Sequence, residues 1–235
     1  MAMISDKDRQ FLQGHLAEHL VDPVVIKYFT QTISCQFCTE TGQLLEEVAD
    51  LSDLIELQVH NFVTDKEIAE EYGIQRIPAT VIMGKQDYGI RFYGIPSGYE
   101  FNTLIEDIVA VSQQEPGLLE ETLEQLARIQ EPVHMQVFVT PTCPYCPAAV
   151  RTAHAFAMAS EQITADMVEA VEFPQLGNKY GVFGVPKTVI NEKWDLEGAA
   201  PESLLLAKVY EAVGLMTSEE VEALFSDYEG EIETT

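Results

Sequence analysis

The chain is written twice, and this repeat constrains its fold more than any other feature. Asp22-Pro23-Val24 matches Glu131-Pro132-Val133, and Phe29 matches Phe138, both at an offset of 109 residues. At an offset of 108, Cys35 falls on Cys143, Cys38 on Cys146, Tyr72-Gly73 on Tyr180-Gly181, Pro78 on Pro186 and Thr80 on Thr188. In both copies the late proline follows the first cysteine by 43 positions. A register held across so many positions means two units of about 110 residues, each the size of a domain.

Each copy spells the same succession of elements. An opening helix (Asp6 to Leu20; Leu118 to Gln130) leads through an acidic-residue-Pro turn into a strand, "VVIKYFT" or "HMQVFVT". The cysteine pair follows, then a helix carrying Leu44, Leu45, Val48 and Leu51 at helical spacing, then a strand, "IELQVHNF" or "ADMVEAVEF". Thr64 and Glu67 have the spacing of a capping box for a short helix that Gly73 stops. "ATVIM" and "KTVIN" follow the prolines as strands, and a further strand and a closing helix end each unit. This order predicts an α/β fold, a mixed sheet flanked by helices in each unit. The periodicity breaks at Gln113 to Gly117, so the units are assigned to residues 1–115 and 116–216. Thr217 and Glu220 can cap a last helix, whereas "SDYEGEIETT" reads as a solvated acidic tail, giving a third segment, 217–235.

Thirteen basic against thirty-nine acidic residues leave a net charge of −26, which disfavours nucleic acid and anionic membrane as partners. The opening stretch "MAMISDKDRQFLQGHL" carries charges where a signal peptide needs apolar residues, which predicts a cytoplasmic protein. Thiols there serve as redox centres or metal ligands more than as static cross-links.

The four cysteines are two C-x-x-C pairs, and each lies where a strand passes into a helix. A helix start presents unpaired N–H groups and the positive end of its dipole, which stabilise the thiolate that attacks a disulfide. Cys35 and Cys143 are thus expected at helix starts as nucleophiles, with Cys38 and Cys146 one turn on as resolving thiols. Pro144 is expected at the first helical position and Pro147 in the first turn. Gln36 and Phe37 give the first site no such stiffening, so the two sites should differ in reduction potential.

The pairs "CQFC" and "CPYC", the later apolar-Pro-x-Thr and this order of elements resemble the thioredoxin and glutaredoxin superfamily. Two such units in one chain, with "FVTPTCPYCPAAVR" and "DMVEAVEFPQ", resemble the protein disulfide oxidoreductases of thermophilic archaea and bacteria over residues 5 to 216. The resemblance implies two tandem thioredoxin-like folds and thiol–disulfide exchange with protein disulfide and dithiol substrates. It also implies an NADPH-dependent flavoprotein of the thioredoxin reductase kind as reductant. No organic cofactor is implied, because the electrons reside on sulfur. Pro78 and Pro186 would be cis, each facing its own cysteine pair, with Ile77 and Val185 offering backbone to an extended substrate. Two features depart from the superfamily: neither "VVIKYFT" nor "HMQVFVT" carries the buried acid of thioredoxin, and "EGAAPE" replaces the glycine-rich glutathione signature of glutaredoxin.

Two other readings stand beside this one. Four thiolates are enough for a zinc or iron–sulfur site, although the pairs occupy the same place in two complete units. A substrate-holding chaperone is the non-enzymatic reading. His15 and His19 lie one turn apart with no third ligand and read as a solvated helix face; His154, on the helix after Cys146, reads as a packing or solvent-exposed residue; no metal ligand is assigned.

Overall fold

The structure, a computed structural model, describes residues 2–233, with side chains described through Tyr228. Within the first unit, α1 (Asp6–His19), β1 (Val24–Thr30), α2 (Cys38–Ala49), β2 (Ile55–Asn61), α3 (Lys66–Glu71), β3 (Ala79–Met83), β4 (Asp87–Tyr93) and α4 (Glu100–Gln113) follow the expected order. The second unit repeats it as α5 (Glu120–Leu126), β5 (Val133–Val139), α6 (Cys146–Ala159), β6 (Ile163–Glu169), α7 (Pro174–Lys179), β7 (Lys187–Ile190), β8 (Trp194–Glu197) and α8 (Glu202–Ala212). No helix among the described residues is long and apolar enough to cross a membrane.

The sheets of the two units are one sheet. Its order is β2-β1-β3-β4-β6-β5-β7-β8, with the units joined by parallel pairing of β4 and β6, where Arg91 stands opposite Asp166. Joining them removes two open edges that would otherwise present unpaired backbone groups. One face is covered by α1, α2, α4, α5, α6 and α8 over a large core that includes Leu16, Leu45, Ile108, Val150 and Val209. The short α3 and α7 cover the other face, with Phe29, Val81, Phe138 and Phe173 beneath them. Because β4 and β5 both run parallel to β6, the helices returning from them, α4 and α6, run side by side in the same direction across the junction.

Three local expectations change and two hold. The Thr64–Glu67 capping box does not form: Asp65 holds the N-cap position of α3, its carboxylate accepts from the Asn61 amide at 2.8 Å, and the Asn61 side chain takes the amides of Val63 and Thr64. Gly73 does stop that helix, in a left-handed conformation (φ 67°) that a β-carbon would strain. β6 ends at Glu169, short of Phe173, because the Glu169 carboxylate accepts from the Glu172 amide and turns the chain. Beyond Met216 the Thr217–Glu220 capping box is made. The run read as a solvated tail continues as helix α9 (Ser218–Glu233), which buries Val221; Thr234 and Thr235 lie outside the described residues.

Candidate redox sites at the carboxyl edge of the sheet

Both cysteine pairs sit where β1 and β5 end, at the same edge of the sheet. Cys35 is bonded to Cys38 and Cys143 to Cys146, each with Cα atoms 5.5 Å apart. The helices start one turn later than expected. Cys38 and Cys146, not Cys35 and Cys143, are the first residues of α2 and α6. In the second unit the Cys143 amide donates to the Thr140 carbonyl at 3.1 Å, closing a turn that keeps Cys143 and Pro144 outside the helix and puts Pro147 in its first turn. In the first unit Ser34 takes a left-handed conformation (φ 61°) that no α-helix continues.

This offset delivers the helix terminus to the first sulfur. The Cys146 amide donates to Cys143 Sγ at 3.1 Å, so one of the orphan N–H groups of α6 is directed at the atom where a thiolate would form. In each pair the first cysteine is also the more accessible one. Cys143 is 7% exposed against 0% for Cys146, and Cys35 is half-buried where Cys38 is buried.

The two proline loops meet the same edge. Ile77-Pro78 and Val185-Pro186 are both cis. β3 begins with Ala79 opposite Phe29, and β7 with Lys187 opposite Phe138, so each proline stands at the end of its cysteine-bearing strand. In the second unit the Val185 carbonyl oxygen lies 3.7 Å from Cys143 Sγ. Around these loops the surface is apolar and open: Ile33, Tyr145 and Phe183 are exposed, Phe183 by 98%.

The sites differ in their supports. At the first, the Tyr28 hydroxyl donates to the Cys38 carbonyl at 2.5 Å, and burial pushes the tyrosine pKa up to about 12. The repeat places Val137 where Tyr28 stands, so the second site has no such anchor.

The second site is instead tied to the first unit. The Tyr99 amide donates to the Pro141 carbonyl at 3.1 Å, which ties the start of α4 to the loop before Cys143. Gly98 (φ 63°) makes this approach possible, since a β-carbon there would stand 2.1 Å from that carbonyl oxygen. Further along the two parallel helices, Asp107 pairs with His154 at 2.6 Å and Glu106 with Arg151. Glu100 stands seven residues before Asp107 on α4 and Cys146 eight before His154 on α6, so the first turns of the two parallel helices lie at the same end. Glu100 is 1% exposed, neither oxygen has a hydrogen-bond partner among the described residues, and burial raises its pKa to about 7. The sequence reading missed this acid because it comes from the other unit and resembles the acid that commonly opens a helix.

His154 is fully buried on its Asp107 partner, a packing role and not solvent exposure. A carboxyl pair, Glu169 and Glu172, lies between the sites at the ends of β4 and β6. The Ile95 amide donates to Glu172 Oε1 at 2.7 Å, and burial raises both acids, Glu172 to about 7.

Known proteins share this fold. The crystal structure of a protein disulfide oxidoreductase from Aeropyrum pernix superposes with a TM-score of 0.84 at 33% identity, covering 89% of this chain and 94% of that one. The structure of the alkylhydroperoxide reductase AhpF from Enterococcus faecalis gives a TM-score of 0.80 at 26% identity, covering 89% and 99%. The corresponding alkyl hydroperoxide reductase protein of Staphylococcus epidermidis is 30% identical over 135 residues, 57% of this chain. The chain spans about a quarter (24%) of that relative's length. The thioredoxin-domain model matches residues 25–106 and again 133–211, and with both halves of the repeat accounted for the chain belongs to the thioredoxin-domain family.

Proposed function

We propose that this chain is a protein thiol–disulfide oxidoreductase in which residues 1–115 and 116–216 each carry one dithiol centre. The observation that carries this reading is the first amide of α6 aimed at Cys143 Sγ, with the Val185 carbonyl oxygen 3.7 Å from the same sulfur. The Cys143 thiolate attacks a substrate disulfide; the substrate S–S bond breaks, a mixed disulfide forms and one substrate thiolate leaves. Glu100 takes the proton from the Cys146 thiol, which attacks Cys143 Sγ and releases the second substrate thiolate. Two electrons have then passed to the substrate, and the pair is a disulfide again. Cys35 and Cys38 perform the same steps at the first site. Ile77-Pro78 and Val185-Pro186 hold the substrate backbone, and the apolar rim of Ile33, Tyr145 and Phe183 receives its side chains.

The reductant is an NADPH-dependent flavoprotein of the thioredoxin reductase kind, and the setting is the cytoplasm, where paired thiols act as redox centres. The four cysteines are two centres and not one metal site, because the pairs stand four positions apart in the sheet. The test is dithiothreitol-driven reduction of insulin. The chain should accelerate it, and the double variant Cys35→Ser, Cys143→Ser should not. Suppression of insulin aggregation by the unaltered chain would support a holding chaperone, and full activity in the double variant would refute the assignment.

A further inference from the structure

Arg76 is a guanidinium without an acid in a chain with three acids for every base. Thirty-nine acidic residues accompany thirteen basic ones, yet Arg76 has no carboxylate or hydrogen-bond partner among the described residues and lies over the Tyr93 ring, 5.1 Å from its centroid. It is half-buried, two residues before Pro78. Beside it a cleft of about 210 Å³ opens along the seam of the two units, on the face that the short α3 and α7 leave partly uncovered.

The cleft gathers basic side chains from both units. Arg91, on its floor, is held by Asp87 through both terminal nitrogens (2.7 and 2.5 Å) and by the Tyr72 carbonyl at 3.3 Å. The Tyr72 ring has Arg91 6.0 Å and Lys27 5.2 Å from its centroid. From the second unit, His134 Nε2 meets Asp166 Oδ2 at 2.7 Å, which leaves Nδ1 free. Burial lowers the His134 pKa, but the Asp166 hydrogen bond and charge outweigh it and the net shift is upward, toward the protonated ring. Asp87 and Asp166 thus neutralise two of these groups. Arg76 is left over, its planar fork unengaged, with the Thr164 and Gln75 side chains also lining the space.

We propose that this seam cleft is a binding site for a small oxyanion of the phosphate class. An oxyanion would take the Arg76 fork in paired charge-assisted hydrogen bonds and accept from His134 Nδ1–H. Lys27, beyond the Tyr72 ring, would add field without reaching it. The volume suits a group of a few heavy atoms.

The test is titration of the full-length oxidised chain with inorganic phosphate at constant ionic strength, followed by the NMR signals of the His134 ring and the Gly73 and Thr164 amides. Saturable shifts confined to the cleft are expected. Arg76→Gln should weaken binding about tenfold or more, and Arg76→Lys, which keeps the charge and loses the fork, should fall between. Lys66→Gln, an exposed residue on α3, and the double variant Cys35→Ser, Cys143→Ser should bind as the unaltered chain does, separating this site from the redox chemistry. Shifts that never saturate in the millimolar range, or that spread over the surface lysines, would overturn the proposal. So would unchanged affinity in Arg76→Gln.

Discussion

The amide of Cys146 donates to the sulfur of Cys143 at 3.1 Å, and it is the first amide of α6. A thiolate at that sulfur receives both a direct hydrogen bond and the positive end of the helix. The Cys143 thiol should therefore titrate below the ordinary value of about 8.5. Thiolate absorbance against pH in a chain whose other three cysteines are serine measures this, and a midpoint of about 8.5 or higher would contradict it.

Glu100, the proton acceptor we propose, also bears on stability. Burial raises its pKa from 4.5 to about 7, so folding favours the protonated form, a contribution that is whole below pH 4.5 and is lost as pH rises through 7. The loss is about 3 kcal/mol as an upper figure. Glu100→Gln stays neutral, so it should match the unaltered chain at pH 4 and be the more stable of the two at pH 8, as read from urea midpoints. The same variant should release mixed disulfides from Cys143 more slowly while leaving the first site unchanged.

Gly98→Ala places a β-carbon against the backbone of Pro141, where no side-chain movement relieves the contact. With the strain of a left-handed alanine, the change should destabilise the chain by about 1–3 kcal/mol. It should slow the second site more than the first, because the loop that must shift leads into Cys143. Equal slowing of both sites in single-site backgrounds would count against the proposed tie.

His154→Ala strands the buried Asp107 carboxylate. Breaking a buried pair in this way destabilises by about 3–5 kcal/mol near neutral pH. Burial already raises the Asp107 pKa, so acidification should protonate it and narrow the deficit. Denaturant midpoints at pH 5 and pH 7.5 give the comparison, and a deficit that does not shrink at pH 5 would assign the loss to packing alone.

Much of the fold was legible because the repeat counts the units and the periodicity within each orders their elements. The joining of β4 to β6 was not, since an edge strand and an interior strand can share one apolar pattern, and the Arg91–Asp166 register looks polar and solvent-facing when read along the chain. The cysteines and prolines were legible from shared spacing. The start of α6 was misplaced by one turn, because Pro144 suits a first helical position as well as it suits the turn that precedes one. Glu100 was invisible for a different reason: the sulfur at which we propose it acts is 46 residues away in the other half of the chain, and only the joined sheet aligns the two helices.

That joined sheet also fixes the bookkeeping of electrons. Four inter-strand steps of about 4.8 Å separate β1 from β5, roughly 19 Å between the two sulfur pairs, where bond exchange requires contact near 2 Å. The chain is therefore two isolated two-electron reservoirs on a common ruler. A half-reduced molecule exists as two isomers, one for each occupied reservoir, and they interconvert only when a third party carries the electrons across.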